Sequence, residues 1–300
     1  MLELKPVEIT DKAWVDPIVF AEDSLSADYN FGSMFLWDPS YSQHIGRMGG
    51  RLVVKPTYGE PHFFAYPIGT GDLAPVIEAM KADAGESGFP FILRGVAKEH
   101  IAQLEEVFPG RFEYSSSRDF FDYIYPAEKL ATFSGKKLHG KRNHINRFVE
   151  ENDWSYRALT CSMESECMDM LSDWENANED QREAGANEER VAIERAFEYY
   201  DELGLEGGAL YSGGRLIAFT IGEKISSTGF DVHFEKAYSE IEGAYPMICR
   251  EFIRQVITDH PEIKYINRED DMGKENLRKA KQSFYPEFLV EKYTAVWKEQ

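Results

Sequence analysis

The sequence lacks long apolar runs, has few cysteines and carries far fewer basic than acidic residues. No stretch approaches the ~20 consecutive apolar residues that a membrane helix requires. The N-terminus shows no basic region followed by an apolar run, so we expect no signal peptide. The three cysteines, Cys161, Cys167 and Cys249, show no metal-ligand spacing. We therefore expect buried free thiols, no metal site and a reducing cytoplasmic location.

The charge balance limits the classes of partner. The 33 lysines and arginines face 53 acidic residues, a formal net charge of -20. Such a field repels DNA and anionic membranes, so we expect neither as a general partner. The sequence also contains no NTPase phosphate-binding loop, no Gly-x-Ser-x-Gly elbow and no His-Glu-x-x-His pair. Length and an apolar share of 43% are consistent with two domains of ordinary size.

One basic segment, residues 135–148, departs from this acidic balance. It holds five lysines and arginines in fourteen residues, and Pro126 ahead of it can begin a helix. At helical spacing an apolar arc forms from Leu138, Ile145, Phe148 and Val149. The opposite arc is polar and consists of Lys136, His139, Asn143, Asn146 and Arg147. This pattern predicts a helix that binds a phosphate-bearing partner, or alternatively a solvated face in salt bridges.

The order of predicted elements favours a mixed α and β fold. Capping by Asp72 predicts a helix with a buried face, and helical spacing recurs over 163–177 and from 187 onward. Strands are predicted at 51–55, 62–66, 89–93, 209–212, 215–222, 229–236, 264–267 and 289–298. In the strand 229–236, the polar residues Asp231, His233 and Glu235 alternate with apolar ones, as in a half-buried strand. Alternating strands and helices indicate mixed sheets flanked by helices.

An internal repetition links the two halves of the chain. Gly49-Gly50-Arg51-Leu52 returns 164 residues later as Gly213-Gly214-Arg215-Leu216. Paired glycines tolerate the positive φ of a tight hairpin, so the echo can be a repeated solution to the same turn. Because a hairpin, a strand, a helix and a strand are predicted in the same order at both places, it also indicates two related domains in tandem.

Two long motifs resemble those of a known family. The basic segment reads Gly-Lys-Lys-Leu-His-Gly-Lys-Arg-Asn-His-Ile-Asn-Arg-Phe, and residues 267–286 read Asn-Arg-Glu-Asp-Asp-Met-Gly-Lys-Glu-Asn-Leu-Arg-Lys-Ala-Lys-Gln-Ser-Phe-Tyr-Pro. Both resemble the C-terminal domain family of phosphatidylglycerol lysyltransferase. The resemblance implies an α+β fold of two tandem GNAT-like acetyltransferase domains in a bacterial protein. The boundary then falls between residues 1–125 and 126–300.

The resemblance further implies an acyltransferase that moves an aminoacyl group from aminoacyl-tRNA to an acceptor. An acetyl-CoA enzyme of this fold would carry a glycine-rich turn where this chain has residues 239–246, in which only Gly243-Ala244 remains. The adjacent Glu240 and Glu242 would repel a pyrophosphate. A bilayer-spanning flippase domain is not part of these residues, so a soluble peptide or small-molecule acceptor is expected. Alternatives are an acyl-CoA-dependent N-acyltransferase acting on a small amine, and a non-catalytic binding scaffold.

The site residues follow from the motifs and the polar strand, with no tightly bound cofactor and the tRNA acceptor end as partner. Candidates for the reacting region are Asp231, His233, Glu235, Glu269 and Asp270. Candidates for holding phosphates or terminal nucleotides are Lys136, Lys137, Lys141, Arg142, Asn143, His144 and Asn146. Candidates for positioning the acceptor or the RNA end are Arg268, Arg278, Lys281 and Tyr285. The alternatives are a polar outer strand face for the first group and a capping loop for Glu269 and Asp270.

Overall fold

The computed structural model describes residues 2–58, 62–177 and 186–299. The chain divides into two compact units. Unit 1 comprises Met1–Asp122, Asp270–Glu275 and Leu289–Gln300, and unit 2 comprises Tyr123–Glu269 and Asn276–Phe288. Each unit is therefore built from separate stretches of the chain. The division at residues 125 and 126 stays a prediction.

Helices and strands alternate along the described residues, as predicted. The α-helices are α1 (Lys12–Glu22), α2 (Phe31–Leu36), α3 (Asp38–Tyr41), α4 (Leu73–Glu86), α5 (Lys98–Val107), α6 (Ala127–Thr132), α7 (His139–Glu151), α8 (Glu164–Ala177), α9 (Ala186–Glu198), α10 (Tyr200–Leu203), α11 (Ala244–Asp259) and α12 (Glu275–Gln282). The strands are β1 (Lys5–Pro6), β2 (Gln43–Met48), β3 (Arg51–Pro56), β4 (Phe64–Ala65), β5 (Ile92–Val96), β6 (Phe112–Ser116), β7 (Asp122–Pro126), β8 (Trp154–Ala158), β9 (Glu206–Ser212), β10 (Arg215–Lys224), β11 (Gly229–Ala237), β12 (Tyr265–Asn267), β13 (Phe288–Val290) and β14 (Tyr293–Trp297).

Unit 1 contains two sheets. One has the order β1-β2-β3, and the other has the order β4-β5-β14-β6, in which β4 and β5 are parallel. The paired glycines Gly49 and Gly50, with φ of 58° and 85°, form the turn between β2 and β3. The Asp72 side chain caps α4 by accepting from the Ala74 backbone N–H, as predicted. The aromatic residues of α2 and the turn before it are buried in the core of this unit.

Unit 2 is built around a seven-stranded sheet with the order β13-β7-β12-β11-β10-β9-β8. The interior strand β10 is buried at eight consecutive positions, 216–223, so both faces of the sheet are covered there. Helix α11 packs against β8, β9, β10 and β11 and also contacts α6 and α7. Helix α8 contacts β10 as well. Mixed sheet and flanking helices confirm the predicted fold class.

The same order of elements occurs in both units. In unit 1 the hairpin β2–β3 is followed by β4, α4 and β5, and in unit 2 the hairpin β9–β10 is followed by β11, α11 and β12. In each case the last two strands pair in parallel. Gly213 and Gly214 have positive φ at the second hairpin, as Gly49 and Gly50 do at the first. The turn that the sequence echo predicted thus forms in both places.

Two predictions about local structure were wrong. The strand 229–236 is not half-buried: Asp231 and His233, expected on a polar outer face, are 0% and 7% exposed. Period-two alternation shows which side chains share a face, but not whether that face meets water. The basic segment is only partly helical, because Phe133 and Gly135 adopt positive φ and α7 begins at His139. Val149 of the predicted apolar arc is 39% exposed.

Candidate functional site

The polar residues of the basic segment lie partly in a turn and partly on helix α7. Lys136 and Lys137 lie in the turn before α7 and are exposed, as are Asn143 and Asn146 on the helix. Leu138 is fully buried and anchors the turn, while Ile145 and Phe148 attach α7 to the core. The segment therefore keeps a solvent-facing row of groups that can meet phosphate.

Arg142 has a structural function within this segment. Its Nη1 donates to the backbone carbonyl of Gly135 at 2.7 Å and also to that of Phe133. These two carbonyls lie in the turn that separates α6 from α7. The guanidinium fixes the turn that carries Lys136 and Lys137. Because its Nη1 already binds two backbone carbonyls, Arg142 is less available to bind a phosphate than the sequence predicted.

A bulge and a divergence of strands shape the centre of unit 2. The antiparallel register of β10 and β11 shifts between Ile221 and Gly222, so that His233 is the additional residue of the bulge. A Cβ on Gly222 would lie 2.1 Å from the Asp231 carbonyl oxygen, which explains the glycine. The parallel register of β11 with β12 covers only 229–231 against 265–267, although β11 continues to Ala237. Side chains from both strands meet beyond that point.

The first group of side chains beyond the divergence is the cationic cluster, defined by Lys141, Glu235, Arg268 and Lys281. Arg268 Nη2 donates to Glu235 Oε1 at 2.6 Å, and both side chains are largely buried. The ring of Phe284 lies 3.7 Å from Lys141 Nζ and 4.5 Å from Arg268 Cζ, measured to its centroid. Arg268 Nη1 is buried without a hydrogen-bond partner in the described parts of the chain. The cluster thus holds an N–H group directed at no protein acceptor.

The burial of this cluster changes its acid–base properties. Burial, together with the charge of Arg268, lowers the pKa of Lys141 to about 8. Burial raises the pKa of Glu235, while the neighbouring cations Arg268, Lys141 and Lys281 oppose the shift. Burial disfavours charge on Arg268, yet Glu235 holds the pKa of its guanidinium above the ordinary value. A sizeable minority of Lys141 is therefore neutral near physiological pH, and the neutral amine can act as a base.

The second group is the His233 cluster, defined by Glu223, Asp231, His233 and Glu269. His233 Nε2 lies 3.0 Å from Glu223 Oε1, and Nδ1 lies 3.3 Å from Glu269 Oε1 and 3.5 Å from Asp231 Oδ2. The side chains of His233 and Asp231 are fully buried. Burial alone would lower the pKa of His233, but hydrogen bonds to Glu223 and Glu269 and the charge of Asp231 raise it well above normal.

The remaining predicted site residues lie in or near the tail motif. Asp270 Oδ1 accepts from the Met272 backbone N–H at 3.0 Å, and so caps a turn. Arg278 and Lys281 are half-buried on α12. Tyr285 is 39% exposed, and its ring centroid lies 5.5 Å from Lys137 Nζ. The sequence did not single out Glu223 or Phe284, because neither belongs to a polar pattern.

The beginning of α11 is closed by α7. Gly243 caps α11 with φ of 88°, and a Cβ on it would lie 2.5 Å from the His144 carbonyl oxygen. Glu242 Oε1 lies 2.7 Å from His144 Nδ1, and Glu242 Oε2 accepts from Arg147 Nη1 at 2.7 Å. His144 is therefore paired to a carboxylate rather than open to a phosphate. The helix N-terminus that would hold a pyrophosphate instead meets a protein carboxylate and a neighbouring helix.

Comparison with solved structures shows the same architecture elsewhere. A conserved protein of unknown function from Bacteroides thetaiotaomicron is 36% identical, with a TM-score of 0.95 over 99% of this chain and 100% of that chain. The C-terminal domain of a putative lysylphosphatidylglycerol synthetase from Agrobacterium fabrum is 14% identical, with a TM-score of 0.69 over 97% of this chain and 92% of that one. A tandem GNAT protein of clavulanic acid biosynthesis covers both chains fully at a TM-score of 0.50 and 11% identity. These likenesses confirm two tandem GNAT-like folds.

A curated relative and a family model complete the comparison. An uncharacterized protein of Mycoplasmoides gallisepticum is 24% identical over 173 residues, which are 57% of this chain and 54% of that protein. The chain thus spans about half the length of that relative. The model named "Phosphatidylglycerol lysyltransferase, C-terminal" matches residues 23–296, both motifs included. The chain belongs to the phosphatidylglycerol lysyltransferase C-terminal family.

Proposed function

We propose that this protein is an acyltransferase that moves an aminoacyl group from aminoacyl-tRNA to a soluble acceptor, without a tightly bound cofactor. The observation that carries the proposal is the cationic cluster. It combines a buried Arg268 Nη1, which has no acceptor among the residues that the structure describes, with a Lys141 amine of lowered pKa. Both side chains come from the two motifs that carry the family resemblance. The ester of a charged tRNA is already activated, so a base and an oxyanion donor suffice for its transfer.

The choice of donor rests on two features of unit 2. At the N-terminus of α11, Glu242 and the His144 carbonyl oxygen occupy the place that a coenzyme A pyrophosphate would need. In contrast, the exposed Lys136 and Lys137 lie on one continuous segment with Lys141. Phosphates of an RNA end bound by the two exposed lysines would lead toward the buried amine. This arrangement favours the tRNA donor over acetyl-CoA.

The proposed reaction uses three groups. The acceptor nucleophile bonds to the ester carbonyl carbon while its proton passes to neutral Lys141. Arg268 Nη1 donates to the carbonyl oxygen as negative charge develops there. The bond from carbon to the ribose oxygen then breaks, and the Lys141 ammonium returns the proton to that oxygen. Glu235 keeps Arg268 in place through their 2.6 Å hydrogen bond.

The acceptor is proposed to be a peptide, metabolite or another protein. No helix in the described ranges is long and apolar enough to cross a membrane. The formal net charge of -20 would repel an anionic bilayer surface, which makes a lipid acceptor the less favourable choice. The amino acid that is carried is left open by this proposal.

The donor can be tested by titrating the purified chain with charged tRNA, uncharged tRNA and acetyl-CoA at low salt. We expect charged tRNA to bind tightest, with an affinity that falls steeply as salt rises. The double variant Lys136→Ala, Lys137→Ala should weaken binding and reduce the slope of log affinity against log salt by roughly 0.7–0.9 per lost phosphate contact. Arg142 stays unchanged in this design because it holds the turn.

A charge-matched control removes two other exposed lysines, as Lys98→Ala, Lys264→Ala. It should bind charged tRNA as the native chain does. Equal loss in both double variants would show that net charge alone governs binding, and would remove the basic segment from the proposal. Tight acetyl-CoA binding without a response to tRNA would replace the donor altogether.

A further inference from the structure

We propose that the His233 cluster is a binding site for one divalent transition-metal ion, with Asp231, His233 and Glu269 as ligands. Zn²⁺ is the ion that these ligands fit best. The proposal is independent of the aminoacyl donor. The three potential ligand atoms all lie within 4.8 Å of one another, and two of the three residues are buried. One imidazole nitrogen and two carboxylate oxygens form an N,O ligand set of the kind that zinc accepts.

Two of the distances within the cluster match the edges of a coordination polyhedron. For ligands about 2.0–2.1 Å from a tetrahedral Zn²⁺, neighbouring ligand atoms lie about 3.3–3.4 Å apart. His233 Nδ1 lies 3.3 Å from Glu269 Oε1 and 3.5 Å from Asp231 Oδ2. A direct hydrogen bond between an imidazolium and a carboxylate is shorter, at about 2.7–2.9 Å. The two contacts thus have the spacing of ligands around a shared ion.

Glu223 supplies the independent observation that points to a metal. Its Oε1 lies 3.0 Å from His233 Nε2, on the other side of the ring from Asp231 and Glu269. A carboxylate in this position holds the proton on Nε2, so an ion that displaces the proton from Nδ1 meets the lone pair of that nitrogen. Histidines that ligate metals regularly donate their second ring N–H to such a carboxylate, which fixes the tautomer. The glycine at 222 and the bulge at His233 are what bring Glu223 into this position.

The negative charge of the cluster also favours binding of a cation. Three carboxylates surround one imidazole, so the group keeps an excess of negative charge even when His233 is protonated. The side chains of Asp231 and His233 are completely buried, and Glu223 is 7% exposed, so water screens this charge poorly. A divalent ion on Nδ1 replaces a single proton by two positive charges. Without a metal the same residues form an internal ion-pair network, which is the competing explanation.

The proposed ion would join adjacent strands. Asp231 and His233 lie on β11, Glu269 follows β12, and Glu223 lies on β10. The Asn267 side chain accepts from the Glu269 backbone N–H at 2.6 Å, which places the Glu269 carboxylate near the imidazole. Arg268, the oxyanion donor of the proposed reaction, lies between these two residues. A metal here would fix the strand end that positions Arg268, and with three protein ligands it would keep one coordination position open.

The test uses the full chain, stripped with chelator and then titrated with ZnCl₂. We expect one zinc per chain, retained through dialysis and measured by elemental analysis, and an increase in Tm on zinc addition. Asp231→Asn and Glu269→Gln keep the size of each side chain and should each weaken zinc binding at least tenfold. Glu223→Gln should weaken it about 10–100-fold, as loss of the carboxylate behind a ligating imidazole does. MgCl₂ should bind far more weakly, because imidazole is not a preferred magnesium ligand.

The matched control is Glu206→Gln, which alters a histidine–carboxylate pair elsewhere in unit 2, where Glu206 Oε1 lies 2.6 Å from His260 Nε2. It should bind zinc as the native chain does. Because a cluster variant can fail to fold, Co²⁺ is added to the native chain as a second probe, and a visible absorption band of nitrogen and oxygen coordination supports the proposal. Less than a tenth of an equivalent of zinc on the folded native chain would overturn it. So would unchanged affinity in both Asp231→Asn and Glu269→Gln.

Discussion

Lys141 is the residue on which the proposed chemistry depends most directly. The sequence placed it in the apolar arc of the basic segment, and the structure positions its Nζ 3.7 Å from the Phe284 ring centroid. Burial there lowers the pKa of the amine to about 8. A lysine among exposed basic residues therefore has different chemistry from its neighbours Lys136 and Lys137, because only Lys141 is partly removed from water.

Transfer should accordingly depend on the protonation of Lys141. Below pH 8 the ammonium form predominates and cannot accept a proton, so the single-turnover rate should rise with pH and level off above about 8. Lys141→Gln should lower the rate by roughly 10²–10⁴-fold and abolish this ascending limb. The measurement is loss of the aminoacyl ester from charged tRNA with a small amine as acceptor. Lys137→Gln is the control: it should weaken tRNA binding but keep the shape of the pH profile.

An unchanged rate and pH limb in Lys141→Gln would remove this residue as the base. The readout separates that result from a failure of the donor, because tRNA binding is measured on the same variant. His233 is less suited to the task. Its pKa is raised well above normal by its carboxylate neighbours, so its ring holds its proton tightly when no metal is bound.

The contact between α7 and α11 decides whether a pyrophosphate can reach the beginning of α11. Gly243 has no side chain, and the His144 carbonyl oxygen therefore packs close to its backbone. A Cβ atom at position 243 would lie only 2.5 Å from that oxygen. Phe148, which is buried on α7, lies against the same position, with its Cβ 2.9 Å from the Cβ position of residue 243. The packing of α7 against Gly243 thus fills the position before α11 where an acetyl-CoA enzyme of this fold would have its glycine-rich turn.

Gly243→Ala should therefore destabilise unit 2 by more than its backbone conformation alone requires. The positive φ of 88° costs an alanine about 1–2 kcal/mol, and the contact with α7 adds to this. Gly214→Ala is the matched control, because Gly214 has a similar φ of 79° with nothing within 4 Å of its Cβ position. Urea denaturation of both variants isolates the packing contribution as their difference. Equal destabilisation of the two variants would mean that α7 moves away from residue 243 at little cost in free energy, so that the beginning of α11 can become accessible.

Elements with a strong local signal were predictable from the sequence. Paired glycines located both hairpins, Asp72 located the beginning of α4, and helical spacing located α8. Elements that depend on distant partners were not. The alternation in β11 predicted a half-buried strand, whereas Asp231 and His233 are enclosed by residues far away in the chain, such as Glu269. Residues 289–298 were predicted as one strand, and they form parts of β13 and β14 in two different sheets.

The candidate site shows the same division. Its chemical types were predictable, because the two motifs contain Lys141, Arg268 and Glu269. Their grouping was not, since Glu235 and Arg268 are brought together by the divergence of β11 and β12. The three proposed metal ligands come from β11 and from the turn after β12, so no ligand spacing is visible in the sequence. Phe284 belongs to the second motif but not to a polar pattern, and it forms contacts with two cations.

Unit 1 depends on a buried ion network near the far end of the chain. Lys292 Nζ lies 2.6 Å from Asp28 Oδ1 and 2.8 Å from Asp122 Oδ1, and its side chain is 8% exposed. Lys292→Met keeps the length of the side chain but leaves the buried Asp122 carboxylate without this cation. We expect a loss of about 3–5 kcal/mol in the free energy of unfolding, measured by urea denaturation. Lys298→Met, at an exposed lysine of the same unit, should change stability by less than about 0.5 kcal/mol.

The position of β14 has a consequence for synthesis on the ribosome. This strand, Tyr293–Trp297, lies between β5 and β6, which precede it in the chain by 201 and 181 residues (293 minus 92 and 293 minus 112). At a synthesis rate of roughly 5–20 residues per second, β14 is made some 10–40 s after β5 and β6, which it joins. During that interval each exposes an unpaired strand edge on the growing chain. Translation speed and chaperone access during this delay, rather than the stability of the finished protein, should then limit the yield of correctly folded chains.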